Sequence, residues 1–501
     1  MDLGEIIAFI CYFVLVLGVG IYFFVKNKNG GEKDYFLGGR NMSGLVAALS
    51  AGASDMSAWV LMGLPGAICL LGLGQVWISI GLIIGTICAW IFVAPKLRRY
   101  AIKAGDSITI PEYLSNRFKS KNNVLRITCA VIFVIAYCIY TASSIVACGT
   151  LFKMVTGGLI NETAGMIIAA VIIGVYTLLG GFNAVCWTDF FQGLLMLGAL
   201  LILPIVTLFI VTGEGFTPAQ TVVVGENYYN LLSSGTFDTQ SIIDIVSGLG
   251  WGLGYFGMPH ILVRYISIKS EKEMRKSQIV GSTWTTIICI MASIVGIVAN
   301  QYFGSAINDN NSSQVFILLS RDIVPGVLSG VLISAIVAAS MSTADSQLLA
   351  SSSAFASDIF KSTIKKDATD KQMLNVGRYA VALILAIALV IAVLPGTGGI
   401  MGLVESAWAI FGSAFGPVIL LSLYFRRLNY KGAVSSIITG FVVSVVWMYV
   451  FAPLTGLYEI IPGFISALIV AIVVSLLTKE PEKEVTDLFD EVKELSFKNE
   501  L

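Results

Sequence analysis

Apolar residues in this chain come in runs of roughly 18 to 25, and that run length limits what the chain can fold into more than any motif does. At 1.5 Å per residue, such a run crosses the ~30 Å hydrocarbon core of a bilayer. Thirteen runs begin near Ile6, Ser43, Gln75, Leu125, Thr163, Thr188, Ile242, Gln278, Val324, Val376, Gly399, Tyr430 and Ile460. Over 501 residues, 56% are hydrophobic and 12% charged, with a mean hydropathy of +0.86, which exceeds what a soluble core of this size needs. Lipid is the expected solvent. The expected fold is all-α and membrane-integral, with about 13 transmembrane helices.

Asp2 and Glu5 precede the first run where a cleaved leader would carry basic residues, so this run is expected to stay as a helix. Lys and Arg set orientation, because cytoplasmic loops retain positive charge. With the N-terminus outside and the C-terminus cytoplasmic, every Lys and Arg except Lys153 and Arg321 falls on inner loops or the tail. The formal net charge of zero hides this asymmetry and gives no sign of a nucleic-acid partner. The eight cysteines lie within or at the ends of apolar runs with no CxxC pair, so they read as packing residues, with no disulfide framework and no zinc site. No nucleophile motif, Walker loop or cofactor fingerprint is present, so neither an enzyme nor a resident cofactor is expected, and no obligate protein partner is implied.

Helix breakers concentrate in two runs. In the second, SAGASDMSAW (50–59) interrupts an apolar helix with small residues, hydroxyls and a carboxylate. In the seventh, GLGWGLGYFGMPH (248–260) places five glycines and a proline at membrane depth. Unwinding there frees backbone groups that lipid cannot satisfy, so only a buried cavity tolerates it. Two interrupted helices in corresponding positions point to inverted repeats with a site near the midplane. The expected organisation is a first helix and its loop (1–42), a first repeat (43–212), a second repeat with its external loop (213–428), two more helices (429–477) and a charged cytoplasmic tail (478–501). In that tail Val485, Leu488, Val492 and Leu495 fall at helical spacing. The basic loop 96–124 contains ITIPEYLSNRF, which reads as a short interfacial helix with Pro111 in its first turn.

An ionised carboxylate at membrane depth is costly, so Asp55 marks either an ion-linked function or a cap on the broken half-helix. A desolvated sodium ion wants about five or six hard oxygens, which unwound carbonyls around Ala53 and Met56 together with hydroxyls can supply. AASMSTADSQ (338–347) is a second oxygen-rich patch, where Ser342 and Thr343 follow the Ala339 carbonyl by one turn. Such hydroxyls also commonly bond back to their own helix. Asp189 opens the sixth run and is open to three readings: second ion ligand, gate residue or N-cap. Trp59, Tyr140, Trp251 and Tyr255 lie near the breaks, where ring faces can hold an ammonium and free N–H groups a carboxylate; the alternative is packing. His260 reads as structural or as a proton relay. Asp345 and Glu405 have no evident role.

The strings DYFLGGR (34–40), LSAGASDMS (49–57), MGLPGA (62–67), GWGLGYFGMPHIL (250–262), AWAIFGSAFGP (407–417) and LYEIIPGF (457–464) closely resemble the sodium/solute symporter family, and within it the bacterial sodium/proline symporters. The resemblance covers nearly everything but the tail. It implies a leucine-transporter-type core of 5+5 inverted repeats with one sodium site between runs two and nine. It further implies sodium ligands from the carbonyls of Ala53, Met56 and Ala339 and the side chains of Ser342 and Thr343, with Asp55 as the coupling carboxylate and Ser57 beside it. Tyr140, Trp251, Tyr255 and Pro259 match positions implicated in proline binding. Ala58 stands where the pattern has a glycine, and Glu405–Ser406 where it has a small polar residue and a tyrosine.

The function so implied is sodium-coupled import of L-proline across the cell membrane by alternating access. The rivals are a symporter of the same family for pantothenate, a sugar or another amino acid, a channel, and a sensor.

Overall fold

The computed structural model describes residues 3–26, 32–217, 227–324, 326–396 and 398–498, so Asp2, Lys28 and residues 218–226 lie outside it. Among the described residues the architecture is helical, with one β-bridge, Met42 to Ile268 in parallel.

Among the described residues ten helices are long and apolar enough to cross a membrane, from Leu3–Tyr22 to Ile460–Leu477. Gly44–Asp55 and Trp59–Leu71 make an eleventh span when taken together, bent by 61° at the break. The remaining two expected runs are not uninterrupted spans of that length. Glu162–Leu178 is a shorter apolar helix, separated from Gly181–Val211 at Gly181, whose φ of 62° only glycine adopts freely. The run near Ile242 is divided into Thr239–Gly250, a 3₁₀ segment Trp251–Phe256 and Pro259–Ser267.

Each break has a local cause. Asp55 ends its helix, Met56 leaves helical geometry (φ −78°, ψ 72°), and a π-helical turn, Trp59–Gly63, restarts the chain toward Pro65. In the second, Met258 is extended (ψ 108°), and Pro259, lacking an N–H, starts the next helix where none is needed. Bonds from Met42 N to Ser267 O (3.1 Å) and Lys269 N to Met42 O (3.1 Å) tie the two broken segments together at one end.

Helix Gly326–Ser353 is buried from Leu332 to Leu349 and packs against Gly44–Asp55, so its small and hydroxylated residues face protein, not lipid. ITIPEYLSNRF forms helix Ile110–Arg117, capped by Thr109, with Pro111 in its first turn. This helix is more deeply embedded than an interfacial one, because Arg117 is fully buried and donates to Ser422 O and Val485 O (both 3.2 Å). The tail forms helix Lys483–Lys498, burying Val485, Leu488 and Val492 as their spacing predicts, together with Phe489.

Candidate ion and solute site

The first break meets the buried helix Gly326–Ser353 through oxygen atoms. Ser342 Oγ donates to Ala53 O (2.8 Å) and Ala339 O (3.1 Å), and Thr343 Oγ1 lies 3.5 Å from Ala53 O. Two carbonyls and two hydroxyls from elements far apart in sequence therefore converge at one fully buried point. Hard oxygens gathered in this way suit a small alkali cation. Met56 is buried beside them, its amide donating to Gly52 O (2.9 Å). Four oxygens of the expected set are thus assembled at one point.

Asp55 faces the other way. Its Oδ2 accepts a 2.5 Å hydrogen bond from Tyr255 Oη, while its Oδ1 is buried with no partner. Its backbone carbonyl, freed by the break, accepts from Tyr140 Oη and Trp59 Nε1, both at 3.2 Å. Asp55 thus joins the ion cluster through its chain neighbours and the second break through its side chain. The orphaned Oδ1 marks room for one further donor or cation.

Aromatic rings extend from this point. Trp251 lies 6.0 Å from Trp59, 6.3 Å from Trp408 and 5.2 Å from Tyr458, and Tyr255 meets Trp408 edge-on at 5.3 Å. Trp408 Nε1 donates to Trp251 O (2.7 Å), the first carbonyl of the 3₁₀ segment. Glycine makes this approach possible, since a Cβ on Gly254 would lie 2.1 Å from Trp408 Nε1. Of the expected solute residues, Trp59, Tyr140, Trp251 and Tyr255 are brought together. Ser57 turns back to accept from Trp59 N (3.4 Å), and Pro259 heads the next helix.

Asp189 sits in a separate buried cluster. Arg264 lies 3.2 Å from Asp189 Oδ2 and also donates to Ser50 Oγ (3.1 Å), His260 O (2.8 Å) and Ser346 Oγ. Ser50 Oγ donates to the same Asp189 oxygen (2.6 Å). Arg264 and Ser50 belong to the two broken helices, so this pair clamps both to Gly181–Val211 and Gly326–Ser353. His260 shares Tyr137 Oη through its backbone N–H (3.0 Å) and Nδ1 (3.2 Å), the arrangement of a structural histidine.

Sequence reasoning missed Trp408, Tyr458, Arg264, Ser50 and Ser346 as site residues. Arg264 was counted as a cytoplasmic charge, and only its burial beside Asp189 reveals otherwise. The usable signal was the family strings holding Trp408 and Tyr458.

The chain matches the sodium:solute symporter family model over residues 35–440. It is 41% identical over 475 residues to the high-affinity proline transporter PutP of Bacillus subtilis, covering 94% of this chain and 98% of that one. It is 39% identical over 499 residues to the osmoregulated proline transporter OpuE of the same organism, covering 99% of each. It is 40% identical over 480 residues to a sodium/proline symporter of Staphylococcus aureus, covering 94% of this chain and 92% of that one. The protein belongs to the sodium:solute symporter family. Its fold is shared with a Na⁺-coupled sialic acid symporter solved in a substrate-bound outward-open state, at a TM-score of 0.78 and 20% identity, covering 96% of this chain and 98% of that one. MhsT in complex with L-phenylalanine aligns at a TM-score of 0.56 and 15% identity over 87% of this chain and 98% of that one. These neighbours have the leucine-transporter-type fold.

Proposed function

We propose that this protein is a sodium-coupled symporter that imports L-proline by alternating access, and is not an enzyme. The observation that carries the reading is the joining of two sites by three consecutive residues, 53–55. Ala53, two positions before Asp55, gives its carbonyl to the Ser342–Thr343 hydroxyls, while Asp55 gives its carboxylate to Tyr255. An ion that orders Ala53, Met56, Ala339, Ser342 and Thr343 also fixes Asp55, and Asp55 fixes Tyr255 in the aromatic pocket. The solute then binds better when the ion is present, and the ion better when the solute is, which is what coupling requires.

Tyr255, Trp251, Trp59 and Tyr140 suit a pyrrolidinium ring by apolar and cation–π contact. The curated relatives named as proline transporters support this solute. Of the roles open to Asp189, the gate is favoured, because Arg264 already supplies its positive partner. Thirteen spans follow if Glu162–Leu178 and the segmented 239–267 stretch each cross the bilayer. The repeats would then be 43–212 and 213–428, with the N-terminus outside and the tail cytoplasmic. One sodium moving down ~100 mV releases about 2.3 kcal/mol, and a tenfold gradient adds about 1.4 kcal/mol.

The test is uptake of labelled L-proline by the purified protein in sealed liposomes under an inward sodium gradient, against potassium and pH gradients. Accumulation that needs sodium and collapses with its gradient is the expected result. Transport of other solutes but not proline would overturn the substrate. Uptake indifferent to sodium would overturn the coupling.

A further inference from the structure

A cavity of about 800 Å³ opens beside Tyr458, at the end of the bundle away from the tail helix. Glu405 lies near the start of helix Gly399–Tyr424, and Glu459 immediately precedes Ile460–Leu477; the other ends of both helices lead to the tail. Both side chains line the cavity. Glu459 is 5% exposed and Glu405 is partly buried; among the described residues neither carboxylate has an ion pair or a hydrogen bond to another side chain, Glu459 meeting only its own backbone. A carboxylate drawn from water with no cation to balance it is unfavourable, and two facing one cavity more so, unless something cationic joins them.

The walls indicate what kind of cation. Apart from the acids, the lining is largely apolar, with Ile135, Leu403, Phe441 and Met448 among it. Its serine hydroxyls are engaged, Ser406 donating to Gly402 O (2.8 Å) and Ser247 accepting from Tyr458 N (3.1 Å). An inorganic cation would seek five or six oxygens, whereas two carboxylates among apolar walls suit an N–H cation with an apolar body. Tyr458 separates this cavity from the solute pocket, its hydroxyl donating to Glu405 O (3.0 Å) and its ring lying against Trp251.

We propose that this cavity is a second binding site, taking organic ammonium ions that have an apolar body and no carboxylate, with Glu405 and Glu459 as the anionic partners. A zwitterion is the poorer ligand, because its own carboxylate meets two others. Occupancy places a cation directly over Tyr458, on the approach to Trp251, so such amines act as inhibitors that bind outside the solute pocket. The binding claim does not depend on which solute is carried.

The experiment is calorimetric titration of the full-length protein in lipid nanodiscs at pH 8 with pyrrolidinium chloride, with sodium chloride and L-proline as parallel titrants. Saturable pyrrolidinium binding is expected in the parent protein. It should persist in Tyr255→Ala and weaken about tenfold or more in Glu405→Gln and in Glu459→Gln, since each removes a charged partner. Glu405→Asp, which keeps the charge, should retain binding, so the test stands if one glutamine variant fails to fold. Unchanged affinity in both glutamine variants would overturn the site. Loss in Tyr255→Ala would place the amine in the solute pocket instead. Displacement of pyrrolidinium by an equal concentration of sodium would make this an inorganic-cation site.

Discussion

The break after Asp55 contains no glycine between residues 53 and 62, whereas the stretch from 248 to 257 holds five. The first break takes carbonyls out of the helical ladder and gives them to side chains: Ala53 O to Ser342 and Thr343, and Asp55 O to Tyr140 and Trp59. The second uses its missing side chains to admit neighbours. Gly252 lies so near Gly81 that a Cβ would sit 2.3 Å from its carbonyl oxygen, and Gly254 admits the Trp408 indole. One break is thus a source of freed carbonyl oxygens, and the other a close-packed support for aromatic rings. Unwinding in a membrane has no single purpose, and which residues replace the lost helical bonds decides what the break does.

The largest effect should come from the clamp that holds the two breaks together. Arg264→Ala strands Asp189 in a buried site, and removing one partner of such a pair costs ~3–5 kcal/mol. The expected result is a marked fall in melting temperature of the purified protein, only partly relieved in Asp189→Asn/Arg264→Ala. A variant that melts like the parent would mean the breaks are held together by packing alone.

Gly254→Ala forces a methyl against Trp408, an overpacking cost of about 1–3 kcal/mol. Ala58→Gly in the first break should shift the melting temperature much less. Equal sensitivity of the two positions would erase the distinction between a packed break and an open one.

Ser342→Ala with Thr343→Ala removes two oxygens from the cluster at Ala53. The sodium concentration for half-maximal uptake should rise about tenfold or more, and saturating sodium should restore most of the solute affinity. Tyr255→Phe should do the reverse. Losing the hydrogen bond to Asp55 should weaken proline affinity by up to about tenfold, with a smaller change in sodium dependence. Identical profiles for the two variants would show that the two functions are not divided between the breaks.

The smallest effect belongs to the tail. Asp490 is held below the usual carboxylate range by its hydrogen bonds with Arg426. A carboxyl lowered in the folded state stabilises it above the unfolded pKa, and that contribution is lost as pH falls through the folded value. Arg426→Ala should therefore loosen the tail slightly at neutral pH, read by amide exchange of Lys483–Lys498. The difference between parent and variant should disappear in acid. Both groups are about half exposed, so the shift should be small.

The helical class was legible because run length against bilayer thickness is a one-dimensional measure. The tail's buried stripe at Val485, Leu488 and Val492 was legible because helical periodicity is equally local. The breaks were marked by polarity and glycine, which are composition. The run near Ile242 was expected as one locally unwound helix, and three short segments replace it, because the extent of unwinding is set by Gly81, Gly85 and Trp408 packing from elsewhere in the chain.

The sequence alone determined that this protein lies in a bilayer, where two of its helices fail, and which hydroxyls and rings lie nearby. Only the tertiary structure decided that Ser342 reaches Ala53, that Asp55 turns to Tyr255, and that Arg264 is a buried clamp and not a loop charge. The physical reason is sequence separation. Backbone conformation and burial tendency are encoded within a few turns of helix, whereas a hydrogen bond between residues 289 positions apart depends on how every intervening helix packs.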